Sequence, residues 1–199
     1  ARKAYQKVID NYPEGFKYVE YSKLKLASYL LSDQAEAAYK AGNFTEAIAL
    51  REEVIQQKRS DKELAAKNQY LAGYIYHKNL NDLDKAKIAY NNVIAIHPKS
   101  GYATMAQQML AGLKSEFAAI CQKLYDDSQV RYKTGEYVAA VIMLHQVAQM
   151  ESCNEELSSK AQYYIGWNYA NDQFKPDEAR KAYQKVIDNY PEGFKYVEY

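Results

Sequence analysis

Apolar residues along this chain recur at the spacing of one helix face. Ala86, Ala89, Tyr90, Val93 and Ile94 stand at i, i+3, i+4, i+7 and i+8. Ala179, Ala182, Tyr183, Val186 and Ile187 repeat the pattern. Such a period places one apolar stripe on an α-helix. Pro98 and Pro191 follow, where a residue without a backbone N–H marks a helix end. Asp82, Asp84 and Asp177 stand where a side-chain cap or a negative charge suits a helix start. Gly42-Asn43 and Gly135-Glu136 break the chain between neighbouring helices. No Asn-Gly or Asp-Gly turn joins alternating strands. The pattern predicts an all-α chain of antiparallel helix pairs, with a break expected from Gly112 through Ser115.

The chain also repeats itself on two scales. Residues 1–21 return as residues 179–199, identical at 21 of 21 positions. Weaker copies lie between. Ala86, Ala89, Tyr90, Val93, Ile94 and Pro98 match Ala1, Ala4, Tyr5, Val8, Ile9 and Pro13. Glu63-Leu64, Lys67, Gln69-Tyr70, Gly73 and Tyr76 match Glu156-Leu157, Lys160, Gln162-Tyr163, Gly166 and Tyr169, 93 residues on. The predicted organisation is one array over 1–199, with half-repeats of about 1–85 and 86–178 and a final copy at 179–199. The weak copies keep core and turn positions, as a shared fold requires. The exact copy also keeps exposed Lys, Gln and Glu, which packing does not dictate, so it is recent or engineered. It fits a piece of a longer array of 178-residue periods, a terminal helix duplicated as a cap or joint, or a permuted or artefactual chain. The start at Ala1, within a helical pattern and without a leader motif, reads as a fragment or a processed chain.

The residues of the best copies resemble the tetratricopeptide repeat, W-x2-L-G-x2-Y…A-x3-F…P. The chain reads Gln69-x2-Ala72-Gly73-x2-Tyr76…Ala86-x3-Tyr90…Pro98, and again Gln162-x2-Ile165-Gly166-x2-Tyr169…Ala179-x3-Tyr183…Pro191. Ala1-x3-Tyr5…Pro13 is a half copy, and degenerate copies surround Gly42 and Gly135. The tryptophan position is Gln in both best copies, and the stretches Pro13–Gly42 and Pro98–Gly135 exceed one repeat. The resemblance implies a right-handed superhelix of about four antiparallel helix pairs with partial units at both ends. In it Gly73 and Gly166 let paired helices approach closely, while Tyr76, Tyr90, Tyr169 and Tyr183 fill the gaps. The wording of these copies is similar to bacterial envelope members. That leans towards the periplasm or cell envelope, with the cytoplasm left open.

Composition narrows the chemistry. Lys+Arg is 26 against 25 Asp+Glu, which leaves no basic surplus for nucleic acid. No apolar run approaches ~20 residues, so no membrane insertion is expected. His77, His97 and His145 lack partners at metal-ligand spacing, and no nucleophile, phosphate-loop or zincin motif is present. The chain is therefore read as a non-enzyme without metal or cofactor. Cys121 and Cys153 align with Ser28 and Ser60, so the fold does not require sulfur there. Their separation suggests consecutive repeats, farther apart than the ~7 Å a disulfide spans, and two free thiols are expected.

Tyr is unusually abundant, 21 of 199 residues. The resemblance implies that the first helix of each pair lines a concave groove. By register this selects Lys67, Tyr70, Tyr74 and His77 in one copy, and Lys160, Tyr163, Trp167 and Asn171 in the other; Tyr39 and Tyr132 follow from the weaker copies. Members three or four apart share one helix face. Amphipathic aromatics beside Lys suit capture of a peptide or helical partner segment. Packing against neighbouring helices is the other use of the same rings. The identical ends permit a second role, head-to-tail self-association into an array.

Overall fold

The computed structural model describes residues 1–57, 61–190 and 196. Pro191, the helix stop expected there, lies outside the described residues, as does the rest of the last copy beyond Tyr190 except Tyr196. Nine α-helices and no strand are present among those described: α1 Arg2–Asn11, α2 Lys17–Lys40, α3 Phe44–Gln56, α4 Lys62–Lys78, α5 Leu83–Ile96, α6 Gly101–Lys133, α7 Tyr137–Gln149, α8 Glu155–Asn171 and α9 Pro176–Asn189. Local chemistry explains their ends. Asp61, Asp82 and Asn154 cap α4, α5 and α8 by accepting from the backbone N–H of Glu63, Lys85 and Leu157. Each cap satisfies a donor that the first turn leaves free. Pro176 opens α9, where its missing N–H costs nothing. Gly42 and Gly135 follow α2 and α6 at φ +80°, the left-handed turn that only glycine takes without strain.

The chain forms two compact units, Ala1–Leu113 and Lys114–Tyr199. This division falls inside α6 rather than at the sequence period near residue 85. The break expected from Gly112 through Ser115 is absent, because α6 runs unbroken for 33 residues. No proline interrupts it, and the site above Gly112 is open space. One exposed glycine costs a helix only ~1 kcal/mol relative to Ala, and burial of Leu113 and Phe117 outweighs that.

In the first unit, paired helices bury Val19, Ala35, Ala47, Ile48, Val54, Ala66, Ile75, Tyr90 and Val93. A polar network is enclosed among them. Arg51, 1 % exposed, donates to Asn68 Oδ1 at 3.1 Å and pairs with Glu36 at 3.1 Å. Asn68 also bonds Ser32 Oγ and the Leu64 carbonyl. The second unit packs Cys121, Tyr125, Val141, Leu144, Val147, Leu157, Ala161, Ile165 and Ala182 into one apolar cluster.

The expectation of free thiols is overturned. Cys121 and Cys153 form a disulfide, with Cα atoms 5.6 Å apart. The expectation treated the 32 residues between them as a step from one repeat to the next. They are instead an out-and-back path within one helical hairpin. Cys121 lies on α6, the chain turns at Gly135, and α7 returns it to the α7–α8 loop where Cys153 sits.

Candidate functional site

The close approach of paired helices at glycine is as expected. A Cβ on Gly73 would stand 2.9 Å from the Tyr90 ring, and one on Gly166 would stand 2.6 Å from that of Tyr183. Real Cβ atoms do not come so near, so each glycine is a seat for a tyrosine ring from the following helix. These seats place the next turns of α4 and α8, where the sequence puts its candidate groove residues.

On α4 the candidates separate. Tyr70 is buried, its ring centroid 5.7 Å from Tyr90 and 5.8 Å from Tyr102. Burial raises the pKa of its phenol, since the charged form is the one that loses solvation. His77 is buried too, 6.3 Å from the Tyr90 ring, with its Nε2 2.8 Å from Lys78 Nζ. These two rings serve packing. Tyr74 is half-buried and Lys67 is exposed. Thus the start of α6, carrying Tyr102, closes over the aromatic face of this copy.

On α8 the corresponding residues are less covered by the described residues, Tyr163 being half-buried and Trp167 exposed. The Tyr163 ring has Tyr164 at 5.4 Å, Tyr183 at 5.6 Å, Tyr196 at 5.5 Å and Trp167 at 6.4 Å, between centroids. Tyr163, Trp167 and Asn171 line a cleft of about 380 Å³ with Tyr183, Val186, Ile187 and Tyr196. Trp167 is 41 % exposed and Ile187 56 %. Asn171 donates to the Trp167 carbonyl at 3.0 Å, which leaves its amide oxygen for another donor. Lys160 stands apart from the cleft lining; its Nζ lies 4.4 Å from the Tyr125 ring centroid, a cation–π contact. Burial drives the pKa of that phenol sharply upward, helped by Tyr164 nearby, so Tyr125 is a neutral ring at any ordinary pH.

The structure therefore gathers three of the eight candidates, Tyr163, Trp167 and Asn171, at one cleft. It adds Tyr183, Ile187 and Tyr196, which the register of a single helix could not select because they come from later segments. Phe174 was also missed. It is 83 % exposed and stands at φ 54° in the α8–α9 loop, as Asn81 does at φ 52° in the α4–α5 loop. Asn tolerates this backbone and Phe is strained in it, a retained strain of the kind found at functional loops.

A second kind of cleft occurs in both units. One, of about 410 Å³, includes Glu52, Gln69, Tyr76 and Lys85 in its lining. Its counterpart, about 340 Å³, has His145, Gln162, Tyr169 and Glu178 at the matching positions. No three His, Cys, Asp or Glu residues come together as a metal site among the described residues. No helix among them is long and apolar enough to cross a membrane.

A family model described as tetratricopeptide repeat matches residues 67–100 and 160–193. These spans run from within α4 past the end of α5, and from within α8 past the end of α9. Solved structures overlap the chain more loosely. MamA 41-end from Desulfovibrio magneticus RS-1 is 20% identical, covers 85% of this chain and 78% of its own, and superposes with a TM-score of 0.33. BtubC (BKLC) from P. vanneervenii is 13% identical, covers 96% and 89%, and reaches 0.42. Overlaps this loose carry no argument about partner or overall shape. No curated protein matches the chain significantly.

Proposed function

The chain is a tetratricopeptide-repeat protein, with repeats matched at 67–100 and 160–193, and on that premise we propose a non-enzymatic interaction scaffold that binds a peptide or helical segment at the α8–α9 cleft. Tetratricopeptide repeats serve protein interaction, and that broader role follows from the repeats themselves. The observation that supports the particular site is the aromatic cleft at Tyr163, Trp167 and Asn171, where Trp167 is exposed, whereas Tyr70 and His77 are buried. A partially exposed Trp beside Ile187 offers a large apolar anchor, and aromatic anchors set in pockets dominate binding energy. Asn171 supplies a polar group at the edge, where it can fix the register of a bound backbone. Lys160 is not in the lining of the cleft, and Lys67 and Tyr74 belong to the first unit. Tyr70 and His77 would contribute through packing alone.

Trp167 is the only tryptophan in the chain, so its fluorescence reports on the site directly. Helical peptides selected from a displayed library on the intact chain should shift its emission when titrated. Trp167→Ala should weaken such peptides by more than ~1 kcal/mol, while the circular dichroism melt stays in place. Selected peptides that bind Trp167→Ala and Ile187→Ala as tightly as the parent chain would remove this reading.

A further inference from the structure

The bridge between Cys121 and Cys153 ties α6 to the point where α8 begins. Cys153 directly precedes Asn154, whose Oδ1 accepts from the Leu157 N–H at 2.8 Å and so caps α8. Cys121 stands one turn before Tyr125 on α6, and both are buried in the apolar cluster of the second unit. The Tyr125 ring lies 6.3 Å from that of Tyr164 on α8, and Tyr164 lies 5.4 Å from Tyr163 of the cleft, between centroids. Thus α6 grips α8 covalently just before its cap and by ring contact further along. The two sulfurs differ in access. Cys121 is 1 % exposed, whereas Cys153 is half-buried in the α7–α8 loop. At the place of Cys121 the first unit has Ser28, bonded to Gln57, and its helices pair all the same. A helix pair of this repeat therefore stands without sulfur, and the bridge adds a hold that chemistry can remove.

We propose, taking the α8–α9 cleft as the peptide site, that this bridge is a redox latch on α8. Closed, it holds the cleft residues in place; opened by a dithiol, it loosens them and weakens peptide binding. The exchange enters at Cys153, the accessible sulfur. A thiolate of the dithiol attacks Cys153 Sγ, the bridge breaks, and Cys121 leaves as a thiolate. The second sulfur of the dithiol then attacks the mixed disulfide, closes its own S–S bond and releases Cys153. Two electrons pass from the dithiol to the bridge, and the two protons that the dithiol loses end on the cysteines. An oxidised dithiol reverses the path. Opening frees the α8 cap from α6 and leaves the start of α8 held by packing alone, a low-cost place for local unfolding. Tyr163 then leaves its binding position for part of the time, and the apparent affinity falls by that fraction. Coupling of this kind is reciprocal, so a bound peptide favours the closed bridge by the same factor.

Labelled, cysteine-free peptides selected on the bridged chain test this, with fluorescence anisotropy reading their binding. Reduction of the full chain with dithiothreitol should weaken them roughly fivefold or more, while circular dichroism stays helical. Cys121→Ser with Cys153→Ser should match the reduced chain and ignore the reagent. In mixtures of reduced and oxidised dithiothreitol, the bridged fraction is counted by mass after free thiols are blocked. Saturating peptide should shift the midpoint towards the bridged form by the same factor, which a bridge acting on the unfolded chain alone would not do. Equal affinity in both states with an unmoved midpoint overturns the latch. Unfolding of the second unit on reduction also overturns it, because the bridge would then be a condition of folding. Peptides weakened by Trp167→Ala but not by reduction remove the latch and leave the cleft. Peptides indifferent to Trp167→Ala remove the cleft, and the latch with it.

Discussion

Ninety-three residues apart, the two units answer one packing problem differently. Ser32, Glu36, Arg51 and Asn68 form the buried polar network of the first. The matching residues of the second are Tyr125, Gln129, Leu144 and Ala161, and three of these belong to its apolar cluster. Ser28, which bonds Gln57 in the first unit, corresponds to Cys121, which is bridged to Cys153 in the second. The helices and their pairing survive both solutions. Helix periodicity and glycine seats therefore specify the pairs, whereas the buried side chains between them are interchangeable only as whole sets. A buried charge needs every partner present, because burial without compensation costs several kcal/mol. Burial already lowers the pKa of Arg51, against the opposing pull of Glu36.

Mixing the sets should break the second unit most severely. Leu144→Arg would bury a guanidinium where Gln129 and Ala161 replace Glu36 and Asn68. A loss above ~4 kcal/mol is expected, read as collapse of hydrogen-exchange protection in α7 and α8. Reciprocally, Arg51→Leu should cost less when Asn68→Ala accompanies it than when made alone. Next in size is the disulfide. Cys121→Ser with Cys153→Ser gives the second unit the residues of the first, and the opened loop of 32 residues should cost about 3–4 kcal/mol. Exchange should accelerate in α7 and α8 and stay unchanged in α3 and α4; equal acceleration in both would mean that the bridge is not local.

The glycine seats offer a finer comparison. A Cβ on Gly166 starts nearer its tyrosine, yet Tyr183 is half-buried and can swing outward. Tyr90 is fully enclosed and cannot. Gly73→Ala should therefore destabilise by ~1–2 kcal/mol, while Gly166→Ala stays near neutral, its strain offset by the ~1 kcal/mol helix gain of Ala over Gly. Gly73→Leu should be worse still, and an unmoved melting temperature would sink the close-approach assignment.

The smallest effect is one of pH. Glu52 of the first unit corresponds to His145 of the second. Burial, and then the charge of Lys185, lower the His145 pKa. Its folded pKa is below the unfolded one, so the unfolded chain binds more protons in between. The stability it contributes is full above pH ~6.5 and is lost as pH falls through the folded value. Acidification from pH 7.5 to 5 should loosen α7, and His145→Gln should flatten that dependence in exchange measurements.

Much of this architecture is legible along the chain because its causes are local. A 3.6-residue stripe, an Asp two or three residues from the N–H it caps, and a glycine at a positive φ act within one or two turns. The repeat resemblance located Gly73 and Gly166 for the same reason, since two helices cannot approach closely over a side chain. The candidate cleft was half legible. Register on α8 picks out Tyr163, Trp167 and Asn171, but the same register on α4 picks out Tyr70 and His77, which Tyr90 and Tyr102 enclose.

By itself, then, the sequence determined the helices, their pairing, the glycine seats and the two identical ends. The tertiary structure decided which of the matching aromatic residues are buried among the described residues, that α6 continues through Gly112, and that Cys121 meets Cys153. It also decided that one helix sequence buries positions 179 and 182 in one place and leaves their twins Ala1 and Ala4 exposed in the other. The physical reason is common to all four. Helical period and capping depend on neighbours in the chain, while exposure, disulfide reach and choice of face depend on which remote segment arrives to cover a surface.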